Sequence, residues 1–241
     1  MERMNYKEFI NWIQDNPNQI NTEVTVLNLN NNNLTSLPSE IGNFIQLKQL
    51  YCSYNRLTSL PSEIGNCFQL KHLNCCNNLL TSLPSEIGRC SQLETIECCR
   101  NQLTSLPSEI CCCVQLESLY CSSNYLSSLP NEIGNCVQLK HLNCHDNNLT
   151  SLPNEIGRCS QLESIECCHN QLTSLPSEIG YCRQLVSLDC SHNKLTYLPS
   201  ELGNCSQLEY LYCLDNQLDY FVYSCDGKMY SSKRNMSWIT K

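Results

Sequence analysis

Residues 47–61 read LKQLYCSYNRLTSLP, and residues 70–84 read LKHLNCCNNLLTSLP. Leu47, Leu50, Cys52, Asn55, Leu57, Leu60 and Pro61 recur 23 residues later as Leu70, Leu73, Cys75, Asn78, Leu80, Leu83 and Pro84. The same step continues through units that begin at Leu93, Leu116, Leu139, Leu162, Leu185 and Leu208, and a variant first unit begins at Val24. Nine units follow one another without insertion or deletion. A unit this short cannot bury its own apolar face, so a fixed period of this length implies coils that stack and share one core.

Within each unit the stretch x-L-x-C-x alternates with period two, which predicts a short strand with Leu and Cys turned inward. An unbroken column follows it: Asn32, Asn55, Asn78, Asn101, Asn124, Asn147, Asn170, Asn193 and Asn216. An amide carries donors and an acceptor together, so a stacked row can satisfy backbone groups where the chain turns off each strand. Proline then ends the extended run, and S-E-I-G-x-C-x-Q predicts a short helical or 3₁₀ return. With parallel strands about 4.8 Å apart, nine coils give a curved sheet roughly 40 Å long.

The ends read as caps. Asn5-Tyr6-Lys7-Glu8 has the form of a capping box, Phe9, Ile10 and Ile13 form an apolar stripe, and Asn16-Pro17 closes a helix expected over residues 3–16. The ninth unit loses its Leu-Pro at Asp219-Tyr220-Phe221-Val222, and FVYSCDGKMYSS predicts a hairpin turning at Asp226-Gly227. The expected organisation is a cap over 1–23, nine repeats over 24–218 and a closing segment over 219–241.

The string LPSEIGxCxQLxxLxCxxNxLTSLP resembles the 23-residue leucine-rich-repeat class with L-P-x-x-I-G-x-L, found in plant intracellular Ras-group-related repeat proteins and in animal scaffolds that bind Ras-family GTPases. The resemblance covers residues 24–218 and departs from the class at two inward positions, where Cys stands for Leu. It implies an α/β leucine-rich-repeat solenoid. Its parallel strands would line a concave face that docks a protein, with a small GTPase or another signalling protein as the partner the class suggests.

Composition narrows the function. Lys and Arg total 15 against 23 Asp and Glu, for a formal charge of -8, so the basic face that a phosphate backbone needs is missing. No apolar run reaches the length of a membrane span. The N-terminal segment is too polar for a signal-peptide core, so a cytoplasmic, reducing location is expected. The 21 cysteines fit that expectation through their spacing. Eight form a strand column (Cys52, Cys75, Cys98, Cys121, Cys144, Cys167, Cys190, Cys213) and seven a return column (Cys67, Cys90, Cys113, Cys136, Cys159, Cys182, Cys205). Leu29 and Phe44 hold these places in the first unit, so the thiols read as small buried hydrophobes. Disulfides suit them poorly, because in-register side chains point the same way and a ladder offers no unique pair. A straight column also cannot converge on tetrahedral zinc.

Function is expected where side chains vary and face outward. The residues flanking the inward Leu and Cys form three rows. The first runs Asn28, Tyr51, Asn74, Glu97, Tyr120, Asn143, Glu166, Asp189, Tyr212. The second runs Asn30, Ser53, Cys76, Cys99, Ser122, His145, Cys168, Ser191, Leu214, and the third runs Asn31, Tyr54, Asn77, Arg100, Ser123, Asp146, His169, His192, Asp215. With Tyr125, Tyr210, His72 and His141 added, Tyr51, Tyr54, Tyr120 and Tyr212 supply amphipathic anchors of the kind that dominate binding hot spots, and Glu97, Arg100, Glu166, Asp189, His145, His169 and His192 supply polar contacts.

Other chemistry is less well served. His145, Asp146, Cys168, His169 and His192 lie on three neighbouring strands and are conceivable zinc ligands. Cys168 beside His169 is a poor nucleophile–base pair, because neighbours along a strand diverge and an open sheet excludes no water. The eight glutamates of the returns, Glu40 to Glu201, read as a solvated ridge. Residues 65–110 closely match 134–179, so recurrence of a residue after three units reflects duplication as readily as binding. The expectation is a non-enzymatic protein-interaction module without cofactors. The alternatives are a metal-binding or redox-responsive protein using Cys76, Cys99 and Cys168, or a self-associating structural array.

Overall fold

The computed structural model describes residues 2–16 and 18–218, together with the backbone of 222–225 and 228–231. Ten parallel strands form one sheet in chain order: β1 (Glu2–Asn5), β2 (Val24–Asn28), β3 (Gln49–Tyr51), β4 (His72–Asn74), β5 (Thr95–Glu97), β6 (Ser118–Tyr120), β7 (His141–Asn143), β8 (Ser164–Glu166), β9 (Ser187–Asp189) and β10 (Tyr210–Tyr212). From β2 onward the register is one unit per strand, with Leu27 opposite Leu50 and Leu50 opposite Leu73. This is the leucine-rich-repeat solenoid expected from the period.

Each of the first eight coils returns through a five-residue 3₁₀ segment such as Ser62–Asn66, entered from an extended proline (Pro61, φ -68°, ψ 146°). These returns stack tightly. A Cβ built on Gly157 would lie 2.4 Å from the Glu178 carbonyl oxygen of the next coil, so the glycine is required by close approach and not by its own dihedrals.

Between sheet and returns lies one continuous core of Leu, Ile and Cys. Seven strand-column thiols and all seven return-column thiols have no solvent exposure, and Cys213 in the last coil is partly buried. They do more than fill space. In the return column Cys67, Cys90 and Cys159 donate to the carbonyls of Ile41, Ile64 and Ile133 in the preceding coil at 3.4, 3.3 and 3.2 Å. In the strand column Cys75, Cys121 and Cys190 donate to Glu97, Asn143 and Tyr212 in the following coil at 3.4, 3.4 and 3.3 Å. A leucine matches the volume but not this weak S–H donation. Burial pushes the Cys52 and Cys144 thiols up to about 12.

The asparagine column works as its chemistry suggested. Asn78 Nδ2 donates to the carbonyls of Cys52 in the preceding coil (2.9 Å) and Cys75 in its own (3.0 Å), while its Oδ1 accepts the Leu57 N–H at 3.0 Å. From Asn55 to Asn216 each amide therefore ties two coils together at the point where the chain leaves the sheet.

At the N-terminus the capping box is present, with Asn5 Oδ1 accepting from Glu8 N (3.1 Å) and Glu8 Oε2 accepting from Asn5 N (2.8 Å). The helix is shorter than expected. α1 spans Tyr6–Asp15, and residues 3–5 instead belong to β1, where the chain pairs in parallel with β2 and adds a tenth strand. Hydrogen bonding to the otherwise open edge of β2 outweighs extending the helix by one turn. Of the predicted stripe, Phe9 is buried and Ile10 and Ile13 are partly buried. Phe9 and Trp12 pack on Phe44, with ring centroids 5.4 and 4.8 Å away. This explains why the first return carries Phe where later ones carry Cys. The helix ends at the Asn16 cap; Pro17 lies outside the described residues. At the other end β11 (Val222–Cys225) pairs antiparallel with β12 (Lys228–Ser231), as expected of a hairpin. Asp219-Tyr220-Phe221 and the turn at Asp226-Gly227 lie outside the described residues.

Candidate docking face

From β3 to β10 the strands are three residues long, and their burial repeats: the central Leu or Ile is inside (only partly in β10), and its two neighbours point outward, half-exposed or exposed. The outward positions make two rows. One is the first expected row, carrying Tyr51, Glu97, Tyr120, Glu166, Asp189 and Tyr212. The other begins each strand and runs Gln49, His72, Thr95, Ser118, His141, Ser164, Ser187, Tyr210. Sequence reasoning named His72, His141 and Tyr210 but missed that they share this row. Carrying the period-two alternation one step back from the inward Leu would have found it.

Neighbouring coils are laced across these rows. Glu97 accepts from Asn74 Nδ2 at 2.7 Å, and Glu166 accepts from Asn143 Nδ2 at 2.6 Å, the same pair three coils later. His141 Nδ1 lies 2.9 Å from Ser164 Oγ, and Tyr51 donates to Gln49 Oε1 at 3.2 Å. Burial raises the Glu97 carboxyl above its ordinary value, partly offset by the nearby His72.

The second expected row lies just past the strand ends, where Cys76, Cys99, His145 and Cys168 are half-buried and Ser53, Ser122 and Ser191 are buried. The third row is not part of the sheet surface. Asn31, Tyr54, Asn77, Arg100, Ser123, Asp146, His169, His192 and Asp215 all adopt positive φ, between 51° and 58°. Their N–H groups bond to the next coil, as Tyr54 N does to Cys76 O (3.0 Å) and His169 N to Ser191 O (3.0 Å), while the chain bends away from the strand. Alternation stops at this left-handed turn. Tyr54, Arg100, His169 and His192 therefore form an exposed rim beside the strand rows. Tyr125 is displaced further, beyond the asparagine ladder, with its N–H on Leu103 O at 2.9 Å.

On the rim His169 and His192 stack, with centroids 4.1 Å apart and planes 10° from parallel, and His192 Nδ1 lies 3.3 Å from Asp215 Oδ2. The expected ligand group is thus split between turn and strand end. Among the described residues no three His, Cys, Asp or Glu side chains converge to hold a metal ion. The Cys168 thiol is pushed up to about 12, by burial first and then by Asp189, while His169 sits out on the rim. As nucleophile and base the two are poorly matched.

Sequence models of known families match most of the repeat array. "Leucine-rich repeat region" matches residues 121–222, "Leucine Rich repeats (2 copies)" matches 22–67, and "Leucine Rich Repeat" matches 69–90. The chain is a leucine-rich-repeat protein. Among curated proteins, none is significantly similar in sequence. Among solved structures it is similar to a leucine-rich-repeat protein of Leptospira interrogans, LIC12759 (35% identity, TM-score 0.65, covering 82% of this chain and 56% of that one). It is also similar to the functional domain of InlJ from Listeria monocytogenes, described as including a cysteine ladder (32%, TM-score 0.72, 82% and 41%). A third is the plant peptide hormone receptor RGFR1 in complex with RGF2 (32%, TM-score 0.73, 80% and 32%). The leucine-rich-repeat chain thus spans between a third and rather more than half of these relatives' lengths. No described helix is long and apolar enough to cross a membrane.

Proposed function

We propose that the protein is a non-enzymatic binding module whose strand face, the concave side of such horseshoes, docks a protein segment carrying Lys or Arg beside apolar groups. One observation carries this reading. From β3 to β10 the outward strand rows present Tyr51, Tyr120, Tyr210 and Tyr212 with Glu97, Glu166 and Asp189 and hold no Lys or Arg, while Arg3 stands at the end of the sheet in β1. Aromatic anchors interspersed with acids suit a basic, partly apolar partner, with charge setting orientation and encounter rate. Tyr54, Arg100, His169, His192 and Tyr125 would contribute from the rim and flank.

The peptide ligand seen with RGFR1 supports peptide or protein docking for this fold; the small-GTPase partner that the sequence resemblance suggested finds no such support among these neighbours.

The test compares partner recovery by wild type, by Tyr51/Tyr120→Ala with Glu97→Gln, and by a return-side variant, Phe68→Ser with Val114→Ser. Phe68 and Val114 are 52% and 48% exposed, so that control preserves the core. The strand-face variant is expected to lose the partner and the return-side variant to keep it. The opposite pattern would move the docking surface to the convex side.

A further inference from the structure

Two cysteines of the strand face stand apart from the buried ladders. Cys76 and Cys99 are in-register neighbours two residues past the paired Asn74 and Glu97, half-buried, and flanked in their row by Ser53 and Ser122. Unlike the ladders, this row holds a single adjacent cysteine pair, so pairing is unique. Adjacent parallel strands place equivalent Cα atoms about 4.8 Å apart, inside the range a disulfide spans. Cys76 Sγ reaches the Cys99 N–H at 3.2 Å, so this thiol already leans toward the next coil and does not stand straight out of the sheet.

The hydrogen bonding has a direction. In this row a side chain accepts from the backbone of the next coil: Asn30 Oδ1 takes Ser53 N–H at 2.7 Å and Ser53 Oγ–H at 2.9 Å. Cys76 Sγ accepts Cys99 N–H at 3.2 Å. Cys99 follows Asn30 and Cys76 in this row, with the Cys76 thiol and then the hydroxyl and backbone of Ser122 in the next coil as its hydrogen-bonding neighbours. These neighbours lower the Cys99 thiol against burial and Glu97, and the bond between the two cysteines raises Cys76.

We propose that Cys99 and Cys76 form a redox-active dithiol on the floor of the docking face, with Cys99 as the attacking thiolate and Cys76 as the resolving thiol toward low-molecular-weight disulfides. In the first step Cys99 Sγ attacks one sulfur of a small disulfide RSSR; the Cys99–SR bond forms, the S–S bond of RSSR breaks, and RS⁻ leaves. In the second, Cys76 gives up its proton and attacks Cys99 Sγ, forming the Cys76–Cys99 bond and releasing a second RS⁻. The two cysteines are oxidised by two electrons, the small disulfide is reduced to two thiols, and the two thiol protons end on the released RS⁻. The bond would cross-link two coils between Tyr51 and Tyr120. This site is independent of whether the strand face docks a protein.

The probe is oxidised glutathione, applied to the full chain as wild type, Cys76→Ser and Cys99→Ser. Serine already holds this row in other coils, so both variants retain the fold. Remaining thiols are blocked on denaturation and modified positions are mapped by peptide mass spectrometry. Wild type is expected to lose Cys76 and Cys99 together as one cross-link. Cys76→Ser is expected to accumulate one glutathione on Cys99, and Cys99→Ser to show neither product. Iodoacetamide labelling of Cys99 should reach half its maximum at a lower pH than labelling of Cys168, whose thiol is raised to about 12. Earlier modification of the exposed Cys112 or of Cys168, or a stable glutathione adduct on Cys99 in wild type with Cys76 still free, would overturn the proposal.

Discussion

Asn124 Nδ2 lies 3.0 Å from the carbonyl oxygen of Cys98 in the coil before its own, and its Oδ1 accepts the Leu103 N–H of that same coil at 3.0 Å. Further bonds to Cys121 O and Ser122 O, both at 3.1 Å, anchor the amide in its own coil. Asn124→Ala leaves a buried N–H and several carbonyls without this partner, which costs roughly 3 kcal/mol. Asn124→Asp is no remedy, since a carboxylate has no N–H for the carbonyls. Urea midpoints measure both; an unchanged midpoint would mean that water takes over the amide's place.

The returns tolerate little added volume. Gly157→Ala sets a methyl group against Glu178 O and Cβ at 2.4 and 2.9 Å, and the expected loss is about 1–3 kcal/mol from overpacking. The fourth unit already carries Cys111 at the equivalent place, buried at 4% exposure, so one return can shift to accept a side chain. A thermal melt of Gly157→Ala that matches wild type would show that every return has this slack.

Arg100 and His169 adopt φ of 54° and 51°, a conformation that disfavours most L-residues by about 1–2 kcal/mol. Asparagine, which occupies this place as Asn31 and Asn77, is better suited to it. Arg100→Asn and His169→Asn are expected to raise stability by about 0.5–1 kcal/mol and to weaken partner binding, a trade typical of strained functional positions. Melting and titration calorimetry read the two effects separately. A variant that gains stability with unaltered binding would remove its residue from the docking rim.

The buried thiols make the fold sensitive to alkali. Cys52, Cys144 and Cys159 are held near 12 when folded, whereas an unfolded thiol titrates near about 8.5. Between those values the unfolded chain releases protons that the folded chain keeps. Stability is therefore full below about pH 8.5 and falls as pH rises toward 12. Cys144→Ala is expected to lower stability at pH 7 and to reduce the slope of stability against pH between 9 and 11. Denaturation curves across that range, with the same slope in both proteins, would show that Cys144 ionises without unfolding.

Much of the fold was legible because identical coils repeat the same physics nine times. Leu50, Cys52, Asn55 and Pro61 each appear in a column, and a column of like residues at a constant step has one stacking solution. The capping box at Asn5 and Glu8 was legible for a local reason, since both its bonds span three residues. The site was less legible. Period two placed Tyr51, Glu97 and Tyr120 on the strand face, but continued into Tyr54, Arg100, His169 and His192, where positive φ ends the alternation. Three residues of strand are too few to announce their own end, and a turn filled by Tyr, Arg and His carries no Gly to mark it.

The 23-residue period, the inward Leu and Cys columns and the unbroken asparagines determined by themselves that the chain is a stacked parallel solenoid, because only stacking buries so small a unit. The tertiary structure alone decided that residues 2–5 become a strand, that Tyr54, Arg100, His169 and His192 stand on a rim, and that Cys99, beside Cys76 and the Ser122 hydroxyl, is lowered while Cys76 and Cys168 are raised. Each of these depends on what the adjacent coil offers across a few ångströms: an open strand edge, a carbonyl for the turning N–H, or a serine hydroxyl. Such partners lie about 23 residues away along the chain, so local sequence carries no trace of which one will be met.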